Sequence, residues 1–332
     1  MRLGLVGFSA DRQAYLGKLL ASRFVAMRWQ PWPFADADAW WVNGTHAVRQ
    51  ANGNLRIPPG EPTGRAIQFD LAQVNRPVAF ALPMALAGVD APTFDPSLTE
   101  SVLPVLKVFE SLLQARAVQL TLASMIAARV GQLRSSVYHL TLQGNLLAVI
   151  DLHGRVTHSP NVQPADLEKA DWSGKPESAR LSPPHFIRTS LAAIMWQYAL
   201  RTQQDWLPPR YRSKKLFFRQ APRVQLTLLE DKHLALVREL ASAPGDFKQL
   251  QQRTGLNEEQ MARALTALYF VGAITSNRHH AAPPQTLKIW QGGDDAAGSD
   301  SLAPSLLEGD PLPNQRPGFN DGTMPAPLNF QD

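Results

Sequence analysis

Short apolar runs, spaced by intervals long enough for a helix, dominate the first hundred residues. The runs that we predict as strands are residues 3–8, 25–29, 39–42, 67–71 and 77–82. Between the first two, Asp11 is placed to cap a helix whose buried face carries Tyr15, Leu19 and Leu20. Short buried strands that alternate with helix-length intervals predict a parallel, doubly wound sheet.

Residues 101–222 follow a different pattern, in which helical and strand-like periods alternate. Two helical stripes come first: Leu103, Leu106, Phe109 and Leu113, then Leu122, Ile126, Val130 and Leu133. Strand-like runs at 137–142, 146–152 and 155–159, with glycine turns at Gly144-Asn145 and His153-Gly154, predict an antiparallel meander. Polar residues 166–182 predict a loop. The last pattern is an amphipathic helix, ending before Trp206, with its apolar face formed by Ile187, Leu191, Ile194 and Tyr198.

Residues 226–278 carry the strongest local pattern in the chain. A helix with Leu234, Val237 and Leu240 ends before Pro244-Gly245, and a short helix over 247–253 turns Leu250 inward. After the turn at Gly255, Asn257 caps a third helix, which buries Met261, Leu265 and Leu268. Residues 271–275 predict the first strand of a wing, and residues 287–290 a second. This order of elements resembles the winged-helix family.

Strand pattern gives residues 1–95 a resemblance to a degenerate response-regulator receiver domain. Receivers carry acidic residues after the first strand and a phospho-accepting Asp at the end of the third. Here Ser9, Ala10 and Asn43 occupy these positions, and Leu82-Pro83 corresponds to the family's Lys-Pro pair after the fifth strand. The resemblance implies a receiver fold that cannot transfer a phosphoryl group.

Charge is distributed unevenly along the chain. Residues 101–223 carry 16 basic and 7 acidic side chains, residues 224–280 carry six of each, and residues 281–332 carry two basic and seven acidic ones. The last segment also holds eight prolines and six glycines, so we expect disorder beyond Gly292. We therefore predict four parts: a receiver-like α/β domain (1–98), a mixed α+β domain (99–223), a winged helix (224–290) and an acidic tail (291–332).

The composition limits cell location and metal chemistry. The chain contains no cysteine, which excludes disulfides and thiolate metal sites. Its apolar start is too short for a signal-peptide core. The longest uncharged stretch of membrane-like character, 135–150, includes His139, Gln143 and Asn145 and cannot span a bilayer as a helix. We expect a cytoplasmic protein without membrane contact.

We searched the sequence for catalytic and ligand-binding motifs. Gly4-Leu5-Val6-Gly7 supplies two of the three glycines of a dinucleotide-binding loop, and both fall in a predicted strand, so we interpret them as strand glycines. The histidines of the predicted meander, His139, His153 and His158, are the one group near which a metal ion can be imagined, but they lack metal-ligand spacing. No nucleophile elbow, Walker loop or kinase signature occurs. We expect no cofactor, no metal and no catalysis.

Residues 210–223 stand out because they hold six cations interleaved with three aromatic side chains, directly before the predicted winged helix. The candidate anion-binding residues, to which we add one from the third helix, are Arg210, Arg212, Lys214, Lys215, Arg219, Arg223 and Arg263. Alternatively, Leu216, Phe217 and Phe218 form a strand that packs against the core while the cations are solvated. Both interpretations stay open at this stage.

The third predicted helix begins with Glu258 and Glu259, where a DNA-reading helix would approach phosphates, with Arg263 and Thr266 one turn on. Carboxylates at that position disfavour strong DNA binding. The arrangement resembles multi-domain bacterial signalling adaptors. We therefore expect a non-catalytic regulatory protein with a protein partner. The alternatives are a winged-helix transcriptional regulator and an enzyme with a site in the α/β domain.

Overall fold

A computed structural model describes residues 1–21, 27–60, 64–86, 88 and 90–282. The chain divides into two compact units, Met1–Ala117 and the residues from Val118 onward. The predicted strand over 287–290 and the predicted disordered tail lie outside the described residues. The four-part division made from the sequence therefore stays a prediction.

The first unit contains a five-stranded parallel sheet and a small antiparallel sheet. Its elements are β1 (Arg2–Val6), α1 (Ala10–Leu20), β2 (Gln30–Trp32), β3 (Ala39–Asn43), β4 (Val48–Arg49), β5 (Leu55–Ile57), β6 (Ile67–Phe69), β7 (Val78–Ala81), β8 (Thr93–Phe94) and the part of α2 (Thr99–Arg129) up to Ala117. The parallel sheet has the order β2-β1-β3-β7-β8, and the antiparallel sheet the order β4-β5-β6. The predicted parallel sheet is thus confirmed.

The two faces of the parallel sheet are covered differently. On one face, Leu3, Trp41 and Phe94 pack with buried side chains of α1 and α2. On the other face, Trp40 and Val42 pack with Leu55, Ile57 and Phe69 of the small sheet. Among the described residues, α-helices therefore cover only one face. The strand order reverses beside β1 as in a doubly wound sheet, but the small antiparallel sheet takes the place of the helices that such a fold has on its second face. Tryptophans of opposite orientation in β3 follow from the two-residue period of a strand.

Several predicted details of the first unit were wrong. Of the predicted second strand, Val25 and Ala26 lie outside the described residues, and the strand is found later, at β2. Residues 67–69 form β6 of the antiparallel sheet, so Leu82-Pro83 follows the fourth parallel strand and the unpredicted β8 is the fifth. Helix α1 is capped by Ser9, not by Asp11. Its buried residues are Leu16 and Leu20, whereas Tyr15 is exposed.

The first helical stripe predicted after residue 101 and the start of the second, Leu122 and Ile126, belong to one 31-residue helix, α2. Val130 and Leu133 follow its end. The following elements of the second unit are β9 (Val137–Leu142), β10 (Asn145–Asp151), β11 (Arg155–His158), α3 (Pro164–Glu168), β12 (Asp171–Lys175), β13 (Ile187–Ser190) and α4 (Leu191–Arg201). The strands form an antiparallel sheet in the order β12-β9-β10-β11-β13.

The predicted meander is confirmed as β9, β10 and β11. The first turn is formed by Gln143 and Gly144, both at positive φ, and Asn145 already belongs to β10. The predicted loop over 166–182 was wrong in part, because it contains the end of α3 and the edge strand β12. The predicted helix at Ile187 begins only at Leu191, capped by Ser190, and the preceding residues form β13.

The unit continues with α5 (Pro209–Ser213), β14 (Phe217–Phe218), α6 (Asp231–Ser242), α7 (Phe247–Thr254), α8 (Glu258–Phe270) and β15 (Ile274–Thr275). The three predicted helices are thus present as α6, α7 and α8. Asp246 and Asn257 cap α7 and α8, and Gly255 ends α7 at φ +68°, a conformation that favours glycine. One continuous hydrophobic core extends through the unit, with buried residues from Val118 to Ile274.

The described helices include none that is both long enough and apolar enough to cross a membrane.

Candidate interaction surface

The basic segment contains both an inward-facing strand and exposed cations. Leu216 and Phe218 are buried in the core, and β14 pairs antiparallel with β15. The strand predicted to begin a wing therefore pairs with the segment before α6. Tyr211 is buried as well, and Phe217 is partly buried, so the aromatic side chains of this segment support its structural interpretation.

Two of the predicted anion-binding arginines are held by carboxylates of the same unit. Arg212 lies 2.7 Å from Asp205 and 3.5 Å from Glu258, and its guanidinium lies over the Phe247 ring. Arg263 pairs with Glu259 one turn earlier on α8. Exposed ion pairs add only about 0–1 kcal/mol of stability. They nevertheless place a competing carboxylate beside each cation, which weakens its attraction for a phosphate.

Arg210 is directed toward an aromatic cluster. Its guanidinium lies 5.8 Å from the ring centre of Tyr211, which packs edge-on against Tyr269. Burial raises the pKa of the Tyr269 phenol, and the charge of Arg210 opposes that increase. Arg210 thus serves the packing of α5 against α8.

A groove of about 320 Å³ lies between the end of α4, the following loop and the start of α8. Its charged residues are Asp205, Arg212, Glu258, Glu259 and Arg263. Three carboxylates therefore face two guanidinium groups, and the groups that would meet a DNA backbone carry a net negative charge. The groove suits a polar partner that can exchange hydrogen bonds with paired charges more than it suits a polyanion.

Helix α8 is buried along most of its length. Every residue from 264 to 270 is buried, because α8 packs against α4 as well as against the core of its own three-helix group. Thr266, which we expected to be exposed, is 3% exposed, and its hydroxyl donates to the Ala262 carbonyl. A helix that reads DNA must place an exposed face in the major groove. The part of α8 exposed to solvent is its acidic first turn.

The remaining predicted cations are more accessible. Lys214, Lys215 and Arg223 are exposed, and Arg219 lies partly buried at the end of β14, where its backbone N–H donates to Ala273. Lys214 and Lys215 precede Leu216, whose backbone forms two hydrogen bonds with Gly245 in the turn between α6 and α7.

This backbone pairing brings together cations that are distant in sequence. Lys248 is exposed three residues after Gly245, and Arg253 Nη2 lies 3.3 Å from the position that a Cβ on Gly245 would occupy. We call Lys214, Lys215, Lys248 and Arg253 the turn cations. Sequence analysis missed Lys248 and Arg253, because nothing in the local pattern indicates that Leu216 pairs with Gly245.

The described residues pack closely at the edge of the parallel sheet where receivers carry their acidic site. The Asn43 amide donates to the Gly7 carbonyl over 2.8 Å, as Gly7 follows β1 at φ +76°. Ile57 and Gly60 lie against the same edge: a Cβ on Gly7 would come within 2.7 Å of Ile57, and one on Gly60 within 1.9 Å of the Phe8 carbonyl oxygen. Among the described residues, Asn43, Ile57 and Gly60 thus pack closely at the ends of β1 and β3.

The histidines of the meander do not form a metal site. His139 Nε2 lies 2.8 Å from the Ala179 carbonyl oxygen, and His158 Nδ1 lies 2.9 Å from that of Ser159. Burial lowers the pKa of His158. Within the described ranges, no three His, Asp or Glu side chains are grouped to hold a metal ion.

The resemblances to receivers and to winged helices rest on element order and on the residues named above. Those resemblances predicted neither that helices cover only one face of the parallel sheet among the described residues nor that β14 pairs with β15. Comparison of the chain with protein-family models, with curated proteins and with solved structures finds no match.

Proposed function

We propose that this protein is a non-catalytic regulatory adaptor of the cytoplasm that acts by binding another protein. The observation that carries the proposal is the burial of α8 between α4 and the core. Residues 264–270 of α8 cannot enter a DNA groove without separating from the elements that bury them, and the N-terminal turn that stays exposed begins with Glu258 and Glu259. The exposed acidic first turn, with its paired arginine, instead offers directional polar contacts for a protein surface.

The first unit supports a role without catalysis. In open parallel sheets, ligands bind beyond the carboxyl ends of the strands, at the point where the strand order reverses. Here that point lies between β1 and β3, and Asn43, Ile57 and Gly60 fill it. An amide at Asn43 cannot form an acyl phosphate, so the unit is suited to be a fixed recognition module.

DNA binding is the second candidate function, and the exposed cations favour it. Lys214, Lys215 and Arg223 have exposed side chains, whereas residues 264–270 of α8 are buried and present no side chain to base edges. Phosphate contacts alone give affinity without sequence preference. Binding of this kind would be weak at physiological salt.

A salt titration separates the two candidates. We would measure binding of the full-length protein to 30-base-pair duplexes of different sequence by fluorescence anisotropy across a range of salt concentrations. We expect equal, weak affinities that disappear near physiological salt, and the K214Q/K215Q double variant should reduce the salt slope by about 2. Lys169→Gln, which removes an exposed cation at the end of α3, is the matched control.

Nanomolar, sequence-selective binding at physiological salt would refute the adaptor proposal. In that case Arg263→Ala should relax the preference at one base position by about 1–3 kcal/mol. Under the adaptor proposal, Arg263→Ala leaves DNA affinity unchanged, since the guanidinium is already paired with Glu259.

A further inference from the structure

The turn cations form a basic surface whose charges are not neutralised locally. Leu216 and Gly245 exchange backbone hydrogen bonds of 2.9 and 3.2 Å, which fixes Lys214 and Lys215 beside the turn that precedes α7, the helix that bears Lys248. In the part of the chain that the structure describes, none of the four turn cations forms an ion pair. The nearby Asp246 carboxylate accepts the Gln249 N–H as the cap of α7.

The last described residue lies next to this surface. The Ala282 N–H donates to the Phe218 carbonyl over 2.9 Å, so the chain leaves the folded unit along β14, a few residues from Lys215. From that point 50 residues follow, Pro283 being the first. Asp294 comes 12 residues after Ala282, a stretch that spans at most about 40 Å. That reach is sufficient to bring acidic side chains to the turn cations.

The sequence that follows is complementary in charge. Residues 289–315 contain no lysine or arginine, and their five carboxylates are Asp294, Asp295, Asp300, Glu308 and Asp310. The two basic residues of the last 50, Lys288 and Arg316, flank this acidic stretch on either side. A polyanionic segment is therefore tethered beside a polycationic surface.

We propose that residues 289–315, the acidic segment, bind the turn cations of their own chain and cover them. A short tether gives a segment an effective concentration of about millimolar at a neighbouring site, so weak charge pairs suffice for occupancy. Salt of high concentration screens the attraction and releases the segment. The proposal concerns what covers this surface and does not depend on whether the external partner is a protein.

Zero-length carbodiimide cross-linking of the full-length protein tests the contact directly, since it joins only amines and carboxylates in close contact. We expect mass spectrometry to find Lys214, Lys215 or Lys248 linked to carboxylates of the acidic segment at low salt, and these links to vanish at about 1 M salt. The exposed lysines Lys18, Lys107 and Lys169 serve as controls.

Links distributed equally over the control lysines, or a lack of links to the turn lysines, would overturn the proposal. Mixing ¹⁵N-labelled and unlabelled protein distinguishes the chain's own segment from that of a second copy. Links within one isotope class support the proposal, whereas links of mixed isotope composition contradict it.

A charge-neutralisation cycle gives a second, functional test with a 20-base-pair duplex as polyanionic probe at low salt. The variant D294N/D295N/D300N/E308Q/D310N should bind the probe at least about tenfold more tightly than the unchanged protein, because it uncovers the turn cations. The gain should be absent when K214Q/K215Q is added. A gain that persists in that background reports net charge alone and overturns the proposal, as does equal binding by the unchanged and neutralised proteins.

Discussion

Both ends of the Asn43 side chain are engaged at the edge of the parallel sheet. The amide N–H donates to the Gly7 carbonyl, and Oδ1 accepts the Thr45 N–H. A carboxylate at this position would keep the second hydrogen bond and lose the first, because two acceptor oxygens would face each other. The amide is thus part of the local structure, beyond its inability to accept a phosphoryl group.

Asn43→Asp should therefore destabilise the protein by about 1–3 kcal/mol, because the Gly7 carbonyl loses its donor and faces a second acceptor oxygen in a partly buried position. Urea unfolding measures this change. Asn52→Asp is the matched control, because Asn52 uses only its Oδ1, which accepts the Asn54 N–H and which aspartate retains. Equal stabilities of the two variants would contradict the role of the Asn43–Gly7 bond.

Acetyl phosphate should leave the intact mass of the unchanged protein unaltered, because an amide at Asn43 cannot form an acyl phosphate.

His233 is a buried base in α6. Burial lowers its pKa to about 4, against an ordinary value of 6.5. Its Nδ1 accepts the Glu230 N–H, and the ring packs edge-on against Trp196. A group with a lowered pKa in the folded state binds its proton mainly after unfolding. The stability present above pH 6.5 is therefore lost as the pH falls toward 4.

We expect this loss to reach about 3 kcal/mol, measured as the free energy of unfolding between pH 7 and pH 4. His233→Asn keeps an acceptor for the Glu230 N–H and removes the titrating ring, so its stability should depend less on pH. Part of the pH dependence should remain because His158, whose pKa burial also lowers, is unchanged. His280→Asn alters an exposed ring and serves as control. Identical pH profiles for all three proteins would refute the assignment.

At the scale of elements, the position of the small antiparallel sheet was not predicted. It covers the face of β1 and β3 that helices cover in a doubly wound fold. The segment that follows β5 packs at Gly60 against the backbone of Gly7 and Phe8, at the edge of the parallel sheet. Gly60→Ala should cost at least about 2 kcal/mol, since the new methyl group meets the Phe8 backbone and not a side chain that can move.

Gly131→Ala is the matched substitution, as nothing lies within 4 Å of its new Cβ. We expect its free energy of unfolding to stay equal or to increase by up to about 1 kcal/mol, by restriction of the unfolded chain. Thermal unfolding of both variants checks the pair. If Gly60→Ala were as stable as Gly131→Ala, the close contact at the sheet edge would be absent.

The basic segment gives a second test at this scale, because adjacent residues differ in burial. Leu216 is fully buried, whereas Lys215 beside it is exposed. Leu216→Ala should cost about 2–5 kcal/mol, the range for a truncated core leucine. Lys215→Ala should stay within about 0.5 kcal/mol of the unchanged protein. Similar losses in urea unfolding would contradict the described orientation of this strand.

Elements with a regular period could be predicted from the sequence, and elements whose partners are distant could not. Strands β9, β10 and β11 are short runs rich in apolar and β-branched residues, separated by glycine turns, so local information sufficed. Strand β12 contains Ser173 and Gly174 and lies at a sheet edge, so it has no apolar pattern to detect. Strand β6 has a strand pattern, but only tertiary packing decides which sheet it joins.

The candidate surface shows the same division. Sequence analysis found Lys214, Lys215 and the acidic start of α8, since these features are local. It placed Arg212 and Arg263 among the candidate anion-binding residues. The ion pairs of Arg212 with Asp205 and Glu258, and of Arg263 with Glu259, become visible only with side-chain geometry. The burial of Thr266 against α4 depends on a helix some 70 residues earlier and had no local signal.

At the scale of the whole molecule, the charge distribution separates a basic surface from an acidic segment of the same chain. The residues that could bind phosphates lie outside α8, and the exposed turn of α8 is acidic. Affinity for nucleic acid would therefore come without base recognition. Recognition by this protein is expected to depend on surface shape and paired charges, as in contacts between proteins.

The most direct test of this account is a selection of random-sequence duplexes by the full-length protein at 150 mM salt, followed by sequencing of the bound fraction. We expect no enriched motif, and the same result for Arg263→Ala, because the exposed first turn of α8 is acidic and residues 264–270 are buried. An enriched motif that Arg263→Ala abolishes would contradict the account and would identify the protein as a sequence-specific DNA-binding regulator.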